Sequence, residues 1–135
     1  MALQLSTTVR NARLDAIETA IGASAVLKIR TGAQPSDCAT ADSGTVLATL
    51  SLPSDWMAAA SSGSKAKSGT WQDASADATG TAAHYRIYAS DGTTCHLQGS
   101  VTATGGGGDM TVDNTSFASG QSFTVTAYSL TDGNA

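Results

Sequence analysis

Charge is what this chain has least of. Only 13% of its 135 residues are Asp, Glu, Lys or Arg, about half the ~25% of an ordinary globular protein. Seven cations against eleven acids leave a formal charge of −4, and no cationic cluster is larger than a pair (Arg10 with Arg13, Lys65 with Lys67). Nucleic-acid binding needs a patch that neutralises phosphates, so the pattern argues against it. Long apolar runs are missing as well: none approaches the ~20 residues of a membrane span. Leu3 and Leu5 give way to Ser6, Thr7 and Thr8 rather than to an apolar core of a secretory signal, so synthesis and assembly in the cytosol are expected. Aromatics reach 5%, and cysteines number two, Cys38 and Cys95. Zinc wants about four ligands, and the only other soft donors are His84 and His96. Cytosolic synthesis disfavours a disulfide, and the two cysteines read as small buried thiols.

What is present falls into two patterns that meet near Gly22. Ser6, Thr7 and Thr8 are N-cap residues, and 9–21 runs on without Gly or Pro before Gly22 stops it. Leu14, Ile17 and Ile21 recur at helical spacing. The charges oppose the helix dipole, with Arg10 and Arg13 early and Asp15 and Glu18 late. They are expected to face partners outside the helix.

From residue 23 onward short Thr-, Ala- and Gly-rich segments alternate in the β manner. Strands are predicted at 25–30, 45–52, 69–73, 84–89, 94–102, 110–112 and 121–130. Val46, Ala48 and Leu50 are placed on one face of their strand, and Phe123, Val125 and Ala127 inward on theirs, with Thr124, Thr126 and Tyr128 outward. Asp91-Gly92 joins 84–89 to 94–102 as a tight hairpin, in which Cys95, Leu97, Gly99 and Val101 share a face. A short helix is expected at 56–60 after Pro53, a polar loop at 61–69, and a bent loop at the glycine run 105–108. The predicted fold is mainly β: an antiparallel β-sandwich or jelly roll of about seven or eight strands (23–135), preceded by one N-terminal helical arm (1–22).

Chemistry is sparsely represented. There is no G-x-S-x-G elbow, and no lysine follows the glycine run as a Walker loop requires. Ten of the eleven acids are Asp, mostly in turns where Asp serves the backbone. His84 and His96 are read as outward-facing on adjacent strands, as exposed or interface histidines without a ligand; the other readings are a polar patch with Arg86 or a metal site at an oligomer axis. Asp109 and Asp113 flank a short strand beside the glycine loop, a weak calcium pattern without EF-hand spacing. Trp56 and Trp71 are expected as core or interface plugs rather than sugar platforms. No catalytic residue, cofactor or metal is assigned.

Several strings together carry a resemblance: residues 10–15 (RNARLD), 52–57 (LPSDWM), 105–113 (GGGGDMTVD) and 130–134 (LTDGN). Over nearly its whole length the chain resembles small virion proteins of tailed bacteriophages, and its expected architecture resembles jelly-roll head decoration (cement) proteins. That resemblance implies trimers on the outer shell that clamp adjacent major capsid subunits, with the virion as the location. Arg10, Arg13, Leu14, Ile17 and Trp56 are the expected partner-binding residues. A neck, collar or tail-associated protein shares the composition. A carbohydrate-binding module using Trp56, Trp71 or Tyr88 is the next alternative.

Overall fold

The computed structural model describes residues 3–135. Helix α1 (Thr7–Ile21) starts where its capping residues place it: Ser6 is extended, at φ −64° and ψ 157°, and its Oγ accepts the Val9 N–H at 3.3 Å. At the other end Gly22 turns to φ +95° and its N–H donates to the Glu18 carbonyl, a left-handed exit that glycine makes without a Cβ penalty. Leu14 and Ile21 are the buried residues of the helix.

Ten strands follow: β1 (Val26–Arg30), β2 (Val46–Ser51), β3 (Ser64–Ala66), β4 (Gln72–Asp73), β5 (Gly80–Thr81), β6 (His84–Tyr88), β7 (Cys95–Ala103), β8 (Met110–Val112), β9 (Ser116–Phe117) and β10 (Phe123–Thr131). The main sheet has the order β2-β1-β6-β7-β8-β10-β3, with β4 also paired to β10, while β5 and β9 make a separate small ribbon. One end of the sheet, β2, meets β4 and the connection that follows it: the Thr49 N–H donates to Asp73 Oδ2 at 3.4 Å. The Asp77 N–H donates to the Leu47 carbonyl at 2.7 Å, and the Thr49 Oγ1 donates to Asp77 Oδ2 at 2.9 Å. The sheet thus folds over one core as a β-sandwich. Leu27, Ile29, Leu47, Trp56, Ile87, Met110 and Val112 fill it, all fully buried or within 1% of it. Trp71 lies between two other rings, 6.1 Å from Trp56 and 5.6 Å from Tyr128.

The mainly-β fold with one N-terminal helix is as the sequence predicts. Five local readings are corrected. Residues 56–60 form no helix: Met57 bridges to Lys67, and the Ala58 N–H bonds the Ala66 carbonyl. The supposed polar loop 61–69 contains β3, because Lys65 finds anions inside and needs no solvent. On β10 the register slips between Val125 and Ala127. That bulge sends Tyr128 into the core and Ala127 out, the reverse of simple alternation. A second slip, between Ile87 and Tyr88, pairs Tyr88 with Cys95 and Ile87 with Leu97, so His96 is the extra residue. Cross-strand partners share a face, so Cys95 sits with Tyr88 and not with Leu97.

The fifth correction concerns direction. The sheet is mixed: β7 and β8 run parallel, in register Val101↔Met110 through Ala103↔Val112. Parallel neighbours ordinarily need a crossover of a dozen or more residues, yet only residues 104–109 intervene. The glycine run explains how. A Cβ on Gly106 or Gly108 would come within 2.7–2.8 Å of the Thr102 side chain, so the returning chain lies directly on β7. The Gly108 N–H donates to Thr102 Oγ1 at 3.0 Å.

Candidate functional site

His84, Arg86 and Tyr88 lie on the face of β6 opposite the core residues Tyr85 and Ile87, yet all five are buried. The connection between β1 and β2, residues 31–45, lies over that second face and is fastened there by Arg86. The Arg86 guanidinium gives Nη1 to Asp42, Nη2 to the Asp37 and Thr40 carbonyls (2.8 and 3.0 Å) and Nε to Gln98 Oε1 (3.0 Å). Gln98 in turn donates to the Pro35 carbonyl at 2.8 Å. Each oxygen of Asp42 is engaged: Oδ1 by Arg86 and the Tyr88 hydroxyl, Oδ2 by Arg30 at 3.0 Å.

Electrostatics follow this geometry. Burial alone would raise the Asp42 carboxyl, but the hydrogen bonds from Arg86 and Tyr88 and the charge of Arg30 outweigh it and hold it below its ordinary value. Burial, aided by Asp42, pushes the Tyr88 phenol up to about 12. His84 donates Nδ1–H to the Gly32 carbonyl at 2.9 Å, which leaves Nε2 as a buried acceptor without a protein partner. Burial lowers its pKa, and the nearby charges of Arg30 and Arg86 lower it further. This cluster ties a 15-residue connection (31–45) to the sheet.

A second polar seam fastens α1. Lys65, 2% exposed, points from β3 at the helix. Its ammonium meets Asp15 Oδ1 at 2.8 Å, Glu18 Oε2 at 2.9 Å and the Ala58 carbonyl at 2.9 Å. Desolvation opposes its charge, but the two carboxylates prevail and raise its pKa. Asp15 also accepts the Ala60 N–H, Glu18 the Met57 N–H, and Asn11 the Gly63 N–H. The late acids on the helix therefore do have partners outside it, within the same chain. Between helix and strand lies an open cleft of about 410 Å³ bordered by Asp15, Glu18, Asp55 and Lys65.

The residues expected to meet partners are distributed unevenly. Leu14 and Trp56 are buried within the chain, and the Trp56 indole N–H donates to the Gly22 carbonyl at 3.0 Å. Arg10 is half-buried and bonds the Asp132 carbonyl; Ile17 packs against the core edge. Arg13 stays outside, bridging Asp132 at 3.2 Å. Arg13, Leu14, Ala16 and Ile17 border a shallow groove of about 400 Å³ with Thr131 and Asp132. The alternative patch of His84, His96 and Arg86 does not form: His84 is buried, whereas His96 is exposed on the bulge. Asp109 is held by Ser100, and Asp113 accepts the Thr124 N–H. Trp56, Trp71 and Tyr88 are all buried, so none of them presents a sugar-stacking face.

Sequence reading missed the linkage of Arg30, Asp42 and Gln98 and the burial of Lys65. Its available signal was three large polar residues (His84, Arg86, Tyr88) on one strand face, which require a cover. All seven Lys and Arg side chains are bonded within the chain: four in ion pairs with Asp or Glu, and Arg10, Lys28 and Lys67 to carbonyls of Asp132, Gly92 and Gly69. Among the described residues no helix is long and apolar enough to cross a membrane. No protein-family model, curated protein or solved structure matches this chain.

Proposed function

We propose that this chain is a structural protein of a tailed-phage particle, a decoration or cement protein that docks on the outer head surface and reinforces contacts between major capsid subunits. The observation that carries the reading is the internal use of charge. Every cationic side chain is bonded to its own chain, so the exterior is mostly Thr, Ser, Ala and Gly, with scattered exposed aspartates such as Asp37, Asp55, Asp77 and Asp91 as its main charge. Such small side chains approach a neighbour closely with little rotamer entropy to lose and few ions to desolvate. A modest interface repeated around a shell stabilises it by mass action. The resemblance of the four sequence strings to virion proteins supports the same assignment, and trimers of this chain are the proposed docking unit.

The exposed outer side of α1, with Val9 and Arg13, and the groove beside Ile17 are the proposed contact region. Leu14 and Trp56 are left out of it because they are buried. Quantitative mass spectrometry of purified particles, with localisation by electron microscopy, tests the assignment. Hundreds of copies on the head support it. About a dozen copies at one vertex would move the protein to the neck or tail, and absence from particles would overturn the reading.

A further inference from the structure

The slipped register at His96 brings Cys95 onto the face of Tyr88, beneath the 31–45 connection. That connection is fastened on either side of Cys38, since the Asp37 and Thr40 carbonyls both accept from Arg86 and the Pro35 carbonyl accepts from Gln98. Cys38 and Cys95 thus belong to one layer. Both thiols are free and half-buried where the connection lies on the β6–β7 hairpin, and the Cys95 thiol, bonded to the Leu97 carbonyl at 3.7 Å, also feels Cys38 as a neighbour. We propose that Cys38 and Cys95 are a redox-controlled cross-link that staples the 31–45 connection to the β6–β7 hairpin.

The chemistry is exchange with an external low-molecular-weight disulfide such as oxidised glutathione. The Cys38 thiolate attacks one glutathione sulfur, forming a mixed disulfide and releasing one glutathione thiolate. The Cys95 thiolate then attacks the Cys38 sulfur and expels the second. Two protein thiols are oxidised to one disulfide, one external disulfide is reduced to two thiols, and the two protons pass through solvent to the leaving thiolates. Cys38 lies between exposed Asp37 and Ala39 on the outer connection, whereas Cys95 sits beneath it with its thiol pushed up to about 11 by burial, so the opening attack falls to Cys38.

The bond would close a loop spanning residues 38–95, and a closed loop of that size restricts the unfolded chain strongly. Incubating the full chain with oxidised glutathione, then measuring intact mass, peptide linkage and thermal unfolding, tests the cross-link. The expected product is monomeric, lacks two hydrogens, links the two cysteine peptides and melts about 10 °C higher, all reversed by dithiothreitol. Cys38→Ser, in the connection itself, and Cys95→Ser should abolish the shift, and Cys95→Ser should retain glutathione on Cys38. Free thiols surviving in the wild type, stable glutathione on both cysteines, or disulfide-linked dimers would overturn the proposal. So would an internal bond that leaves the melting temperature unchanged.

Discussion

Lys65 and Arg86 are both buried cations, each covered by a segment from elsewhere in the chain, yet they are held by opposite logic. Lys65 has two carboxylates from one helix, so the helix seam carries one more negative than positive charge. Arg86 shares a single carboxylate with Arg30 and spends its other donors on Gln98 and two backbone carbonyls. Its fastening depends on the planar fork of the guanidinium more than on charge. Carboxylates on both sides keep contact with water, Asp15 at 47%, Asp42 at 37% and Glu18 at 18% exposure, so the contrast lies in the acceptors and not in solvent access. Ionic attraction holds the helix, whereas directional hydrogen bonds shape the 31–45 connection.

The largest test of that difference is truncation. Arg86→Ala should cost about 2–4 kcal/mol, since it empties a buried position and takes the donor from Gln98 and from the Asp37 and Thr40 carbonyls, while Asp42 keeps Arg30 and Tyr88. Lys65→Ala should cost less, about 1–3 kcal/mol, because Asp15 and Glu18 keep their backbone donors, the Ala60 and Met57 N–H groups. Arg86→Lys should restore only part of the loss, since a single ammonium cannot span the same acceptors. Urea unfolding of the three variants measures all of this, and equal losses at the two positions would erase the contrast.

Glycines sharpen it next. Gly44 and Gly63 both have positive φ, +71° and +75°, and sit at the connection and the helix seam respectively. A Cβ at Gly44 would strike the Thr31 backbone carbonyl, while one at Gly63 would strike the Arg10 guanidinium. A flexible side chain can yield and a paired backbone cannot. Gly63→Ala should therefore cost about 1–2 kcal/mol from φ strain, and Gly44→Ala about 3 kcal/mol or more. Thermal melts ranking them the other way would break the assignment.

The smallest effect is the pH response. His84 has its pKa lowered by burial from an ordinary 6.5. On acidification the unfolded chain therefore takes up that proton first, and stability should begin to fall below about pH 6.5. Asp15 and Asp42 are held below their ordinary 3.8, so stability that they supply is present above that pH and lost as pH drops beneath it. Between the two windows the response belongs to the face under residues 31–45, where Arg30, Arg86 and Asp42 surround the imidazole. Melting curves of His84→Gln should lose the upper step and keep the lower one; persistence of the upper step would assign it elsewhere.

Much of the fold was legible because its signals are local. Ser6 and Gly22 mark both ends of α1, and Asp91-Gly92 with its flanking alternation marks the β6–β7 hairpin. The bulges were not legible: alternation placed Tyr128 outward and Cys95 inward, and each slip depends on a partner strand that the local pattern does not contain. The polar clusters were hidden for a related reason. Lys65 looks like a loop residue until Asp15 and Glu18, some 50 residues earlier, are brought to it. Asp42 looks like a turn residue until Arg86, 44 residues later, reaches it. Tryptophan burial was legible only in part: both rings were expected as core or interface plugs, but Trp56, expected to meet a partner, is buried within the chain.

The short glycine return between β7 and β8 also bears on the order of assembly. It lets three neighbouring strands, β6, β7 and β8, form through loops of only a few residues, whereas Lys65 must find Leu130 and Ile29 must find Tyr85 across much longer stretches. Closing short loops is entropically cheap and fast. The trio is thus the expected folding nucleus, with the docking of α1 and the pairing of the outer strands expected to follow. Lengthening the return at Gly107 should slow refolding more than it speeds unfolding.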